Sequence, residues 1–186
     1  MHKEVNKYFT KKDIKSRADY EKIRKAVRDG SLLRLRNGVY VEPSVLADTA
    51  IDVEKLVPSG VVCLYSAFSY YNLSTQVPSS TCIAIDSKRK VTLPAYPIID
   101  LYYWKAEYLS FGTVKVDVNG YSFWMTDKER TVCDAIRYRT KIGLDVCGEV
   151  LNNYLKLEDR NISKLFSYAR QLRIATTITK YLETRL

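Results

Sequence analysis

Residue types able to do covalent or metal chemistry are sparse in this chain, and their spacing narrows the choice. The single histidine is His2, at a terminus where a catalytic base lacks the fixed partner that holds its ring, so Ser-His-Asp or Cys-His catalysis has no anchor. Cys63, Cys82, Cys133 and Cys147 are widely separated and form no Cys-x-x-Cys pair, which reads as buried reduced thiols. Asp86-Ser87-Lys88, ending an expected strand, matches the acid-x-Lys half of a metal-dependent nuclease, where carboxylates hold the ion and lysine meets developing phosphate charge. Such a site needs a second acid on a neighbouring strand, and the nearest upstream acids, Asp52 and Glu54, fall on an expected helix. The seven glycines make neither Gly-x-x-x-x-Gly-Lys nor Gly-x-Gly-x-x-Gly, so no nucleotide cradle is indicated. The expectation is a non-enzyme without cofactor or metal.

The chemistry that the residues favour is polyanion binding. The formal charge of +9 comes from 30 Lys and Arg against 21 Asp and Glu, and it is unevenly spread. Residues 1–43 hold 12 basic and 6 acidic side chains, and the rest of the chain 18 and 15. Lys11, Lys12, Arg17, Lys22, Lys25, Arg28, Arg34 and Arg36 fall within that first stretch and are the expected DNA contacts. Lys22, Lys25 and Arg28 would enter or flank the major groove, and Arg34 and Arg36 would grip phosphates. Asp19, Glu21 and Asp29 dilute the patch, and an ordinary solvated helix face is the plainer account of the same charges.

The elements that must position these side chains follow from local pattern. Thr10-Lys11-Lys12-Asp13-Ile14 reads as a short helix start, with the Thr hydroxyl as cap and an acid at the third position. A second helix is expected from about Ala18 to Asp29, where Tyr20, Ile23, Ala26 and Val27 share one apolar face and Gly30 stops the chain. Leu32–Leu35 and Val39–Val41 flank Asn37-Gly38, a hairpin signal. Helix, helix and two-stranded wing describe a shortened winged helix over residues 1–43, with residues 44–186 forming a second, α+β domain.

In that larger part a helical pattern runs from Leu46 to Leu56, and Ser66 to Tyr71 forms a short helix. Thr81–Asp86, Pro97–Trp104, Thr113–Val118 and Tyr121–Thr126 are β-rich, the last two joined by Asn119-Gly120, which predicts a mixed, mostly antiparallel sheet. Thr126-Asp127-Lys128-Glu129 has the spacing of a capping box, with Thr126 as cap, and Arg130 and Asp134 are placed to pair along one helix face for a few tenths of a kcal/mol. Helices are expected over Leu144–Leu157, Ile162–Leu172 and Ile174–Leu186. Lys156, Arg160, Lys164, Arg170, Arg173 and Lys180 on them could form a second basic surface or simply a solvated bundle. Tyr65, Tyr70, Tyr71, Tyr102 and Tyr103 point either to a partner surface or to a Tyr-rich core.

A length of 186 residues with 46% hydrophobic and 27% charged residues suits one large or two small globular domains. No run approaches the roughly 20 apolar residues of a membrane span, and Met1-His2-Lys3-Glu4 lacks a secretory apolar core, so a cytoplasmic location is expected.

Three stretches together resemble a known family. Gly30 through Val41 is similar to the wing of the AbiEi-type antitoxins, Leu64 through Leu73 resembles their central Ser-Ala helix, and Thr126 through Asp134 resembles their Glu-Arg-Thr-Leu-x-Asp segment. The stretches come in the family's order. The resemblance implies an antitoxin of a bacterial two-gene toxin–antitoxin system, with a nucleotidyltransferase-like toxin as genetic or physical partner. It further implies a winged helix that binds and represses its own promoter DNA, and a C-terminal domain that neutralises. The alternatives from other classes are a protein-interaction module without DNA binding, and a nuclease relative using Asp86 and Lys88.

Overall fold

The computed structural model describes residues 8–43, 52–94 and 96–183, without the side chains of Tyr8 and Arg36. It is α+β, with a three-stranded and a five-stranded sheet. The smaller sheet is built from β1 (Tyr8–Thr10), β2 (Leu33–Arg36) and β3 (Val39–Val41) in the order β1-β3-β2, with α1 (Arg17–Arg28) between β1 and β2. Both pairings are antiparallel.

The helix expected to open at Thr10 is replaced by the end of β1 and a turn. The expected Thr10 hydroxyl cap is replaced by a single closed turn: Asp13 accepts hydrogen bonds from the Thr10 amide at 2.7 Å and hydroxyl at 2.8 Å, and its own amide donates to Thr10 O. No helix follows because Ser16 is extended and starts α1 afresh, its hydroxyl accepting from Asp19 N at 3.1 Å. The hairpin expected around Asn37-Gly38, termed the wing, forms, although only Gly38 takes positive φ (76°) and the register shifts between Arg34 and Arg36. A turn with a left-handed Gly and a bulge replaces the two-residue turn.

In the larger sheet β4 (Val61–Val62), β5 (Thr81–Asp86), β6 (Ile99–Trp104), β7 (Thr113–Val118) and β8 (Tyr121–Thr126) lie in the order β6-β5-β4-β8-β7. The expectation of a mostly antiparallel sheet is corrected. β4–β8 and β5–β6 are parallel, and only β4–β5 and β7–β8 are antiparallel. At Asn119-Gly120 both residues take positive φ, 50° and 81°, as a tight hairpin requires. Helices α2 (Val53–Leu56), α3 (Leu64–Tyr70), α4 (Ala106–Leu109), α5 (Lys128–Arg137), α6 (Arg139–Ile142), α7 (Leu144–Lys156), α8 (Ile162–Gln171) and α9 (Ala175–Glu183) complete the described chain. Of the helix expected over Leu46–Leu56, residues 46–51 lie outside the described residues, and the last four residues form α2.

Alternation along the strands serves two cores. Val61, Cys82, Ala84 and Trp104 face a cluster with Leu64 and Phe68 of α3, Val132 and Ile136 of α5, and the apolar faces of α7, α8 and α9. Their neighbours Val62, Ile83, Ile85, Phe123 and Met125 face the other way, into a cluster that includes Val53, Leu56 and Val57 and also Leu35, Val39 and Val41 of the wing. The wing therefore shares its apolar contacts with the large sheet. All four cysteines are buried and free, as expected. Among the described residues no helix is long and apolar enough to cross a membrane.

Candidate functional site

The N-terminal cations divide into two groups. On α1, successive residues are turned about 100° apart, so Ile23, Ala26 and Val27, all half-buried, face inward, and Lys22, Lys25 and Arg28 point to solvent. Arg17 is the first residue of α1 and exposed. Arg24, absent from the expected contacts, shares the solvent face and lies 3.9 Å from Glu21. Among the described residues no carboxylate sits within ion-pair distance of Arg17, Lys22, Lys25 or Arg28. Asp19 and Asp29 act electrostatically on Lys22 and Lys25 without closing an ion pair, so the exposed row presents its charge outward, where a polyanion is the complementary surface.

The second group is assembled by the small sheet. β1 and β2 both pair with β3, which brings the turn after β1 beside the wing. A cleft of about 360 Å³ results, lined by Lys11, Ile14, Tyr20, Arg34, Asn37, Gly38 and Tyr40. Lys12 is exposed on the same turn but does not line it. Arg34 donates to Asn37 Oδ1 at 3.4 Å. Arg36 ends β2 with its backbone paired to Val39. The structure thus joins Lys11 to Arg34 and leaves Lys22, Lys25 and Arg28 outside the cleft.

Sequence reading missed the ionic centre around α5. Asp127, not Thr126, caps this helix, its carboxylate accepting from Arg130 N at 2.8 Å. Thr126 is buried and shares a 2.8 Å hydroxyl bond with Thr131. Glu129 closes no capping box. It is buried, with Oε1 accepting from Tyr154 OH and Asn161 N, each at 3.2 Å, and Oε2 lying 3.2 Å from Lys164 Nζ. Lys164 also lies 3.0 Å from Asp127 and is therefore occupied in joining α8 to α5 instead of lining a second basic surface. Burial works against its ammonium, but hydrogen bonds and charges from Asp127 and Glu129 overcome it and raise its pKa.

Arg130 and Asp134 do pair, at 3.1 Å, but both side chains are fully buried, so the expectation of a surface pair worth tenths of a kcal/mol is corrected. The Arg130 guanidinium lies between the rings of Trp104 and Phe111, 4.7 and 4.6 Å from their centroids, and donates to Tyr108 O and Phe111 O. The i, i+4 spacing was legible; the aromatic sandwich was not, because it is delivered by β6 and by the chain following α4.

The tyrosines divide. Tyr65, Tyr71 and Tyr102 pack against the core, the first donating to Ile142 O at 3.0 Å, whereas Tyr70 and Tyr103 are exposed. Ser66 and Ala67 have structural work: the Ser66 hydroxyl accepts from Cys82 N at 2.9 Å, and Ala67 has no exposed surface. A second cleft of about 560 Å³, lined by residues such as Val53, Tyr70, Val77, Pro78 and Phe123, has no charged residue in its wall among the described residues.

Among the described residues no carboxylate cluster assembles around Asp86. The Asp86 carboxylate accepts from Lys88 N at 2.8 Å, closing a turn, and among the described residues no three His, Cys, Asp or Glu side chains converge. No protein-family model matches the chain, and no curated protein matches its sequence.

Proposed function

We propose that this chain is a DNA-binding antitoxin that represses its own two-gene operon, the N-terminal part gripping promoter DNA and the larger part neutralising a nucleotidyltransferase-like toxin. The observation that carries the DNA-binding half is the solvent face of α1, where Lys22, Lys25 and Arg28 stand exposed with no carboxylate within ion-pair distance among the described residues. β1, α1 and the β2–β3 hairpin form a shortened winged helix on this reading, with α1 as the recognition helix and the turn at Lys11-Lys12 in place of the helix that usually precedes it. The antitoxin half rests on the resemblance of the wing, the Ser-Ala helix and the Glu-Arg-Thr segment to the AbiEi type.

The test is binding of the purified protein to a fragment from its own upstream region, titrated over several salt concentrations against a scrambled competitor. Specific binding that weakens steeply with salt, and a shallower salt dependence in the Arg34→Glu, Arg36→Glu variant, are expected. An unchanged salt slope in that variant counts against the wing. Co-expression with the neighbouring gene tests the second half, since the same variant should still relieve toxicity. The protein-interaction reading instead predicts a stable complex with that gene product and no retention on DNA or heparin at moderate salt.

A further inference from the structure

The cleft between the β1 turn, α1 and the β2–β3 hairpin brings two cations, Lys11 and Arg34, to one wall-lined space. The aliphatic stem of Lys11 lies across Gly38: a Cβ at Gly38 would stand 2.5 Å from Lys11 Cγ and 2.7 Å from Cε. Gly38 is thus required twice, for its φ of 76° and for the space that the lysine stem occupies. The turn carrying Lys11 is itself tied, since Asp13 accepts from both the amide and the hydroxyl of Thr10, and the hydrogen bonds to Asp13 lower its carboxyl pKa. On the opposite wall the exposed Arg34 donates to Asn37 Oδ1 at 3.4 Å, which leaves the Asn37 amide N–H groups as further donors.

Among the described residues no acidic side chain lines the cleft, which two cations share. Its volume of about 360 Å³ exceeds what a bare tetrahedral anion fills, and the wall that remains is aromatic and apolar, from Tyr20, Tyr40 and Ile14. Tyr20 is 48% exposed, leaving part of its ring uncovered at the surface.

The geometry points to a subsite for one phosphodiester of the DNA backbone, with Lys11 and Arg34 closing on its non-bridging oxygens and the Tyr20 ring against the adjoining sugar. This rests on the DNA-binding reading above and adds to it a position: a single backbone phosphate that is held apart from the contacts of the α1 face. A phosphate seated there fixes register on the duplex and carries no base readout.

The experiment uses the full chain and a set of upstream duplexes, each with one methylphosphonate that removes the charge of one phosphate. Lys11→Met keeps a stem over Gly38 without the charge, Arg34→Gln keeps a polar side chain on the wing, and Lys22→Met is the control outside the cleft. Unchanged thermal midpoints establish that the variants are folded. The expected result is one phosphate position whose neutralisation weakens wild-type binding several-fold yet has little further effect on Lys11→Met or Arg34→Gln, while the full loss persists in Lys22→Met. Each cleft variant should also reduce the salt slope by about 1. If the wild type binds and no position couples to either cleft variant, the subsite is wrong and the DNA-binding reading stands. If the wild type binds none of the duplexes even at low salt, both fall.

Discussion

The Arg130 guanidinium and the Asp134 carboxylate meet at 3.1 Å with neither side chain reaching solvent. Their two ways of being broken are unequal. An arginine left alone cannot shed its charge, whereas a carboxylic acid left alone takes up a proton and becomes neutral. Asp134→Leu is therefore expected to cost about 3–5 kcal/mol, Arg130→Met less, and the double variant to recover much of the loss. Urea unfolding of the three proteins at pH 7, above the Asp134 value of about 6, checks the order; additive losses in the double variant would show that the two residues act separately.

The same pair sets a pH signature. Burial pushes the Asp134 carboxyl up to about 6, while Arg130, and then Arg137, pull the other way and Asp127 adds to the rise. A folded-state value above the ordinary 3.8 means that folding favours the protonated form. The stabilisation from this group is full below 3.8, is lost as pH rises to about 6, and is constant above it. Arg130→Met removes the strongest opposing pull and extends the loss to higher pH. The stability gap between variant and wild type should widen between about pH 6 and 8. Denaturant midpoints across that range provide the measurement, and a constant gap would show that Asp134 stays ionised without its arginine.

Glu129 ties the start of α5 to α7 and α8 through Tyr154, Asn161 and Lys164. Glu129→Ala removes three partners at once and is expected to cost about 2–3 kcal/mol, with Glu129→Gln, which keeps an acceptor, costing about 1. The Asn161 amide donates both to Glu129 and, at 3.0 Å, to the Tyr154 hydroxyl that Glu129 accepts from, so it should exchange with solvent faster in the alanine variant, which loses one acceptor and the tether of the other, than in the glutamine one. Equal exchange in both, together with equal stability, would remove Glu129 from the link between these helices.

How much of this was legible depended on whether the deciding neighbour was close in sequence. β5, β7 and β8 could be read residue by residue, because alternation and Asn119-Gly120 are local signals. Thr10 misled because its bond with Asp13 is shared by a helix cap and an isolated turn, and only the extended Ser16 distinguishes them. Thr126 and Asp127 are both good caps, and Glu129 three residues after Thr126 imitated a capping box while serving Tyr154. The parallel pairing of Val61 with Trp124 brings together residues far apart in the chain. At the candidate site, the cations could be read as types, but the meeting of Lys11 with Arg34 required β1 to pair with β3. The burial of Arg130 required Trp104 and Phe111 to arrive from elsewhere.

The wing is also tied to the rest of the molecule in its stability. Val41 has no exposed surface and belongs to the cluster that contains Ile85, Phe123 and Met125 of the large sheet. Val41→Ala removes two buried methyl-sized groups and leaves a cavity, costing about 2 kcal/mol. Because the wing and the large sheet share this cluster, the loss should appear in the whole molecule. Trp104 and Trp124 both lie in the large sheet, so their fluorescence reports unfolding there and not in the wing. Tryptophan fluorescence and far-ultraviolet circular dichroism should give the same lowered urea midpoint in Val41→Ala. A tryptophan midpoint equal to that of the wild type, with an earlier shoulder in the dichroism, would mean that the wing melts on its own.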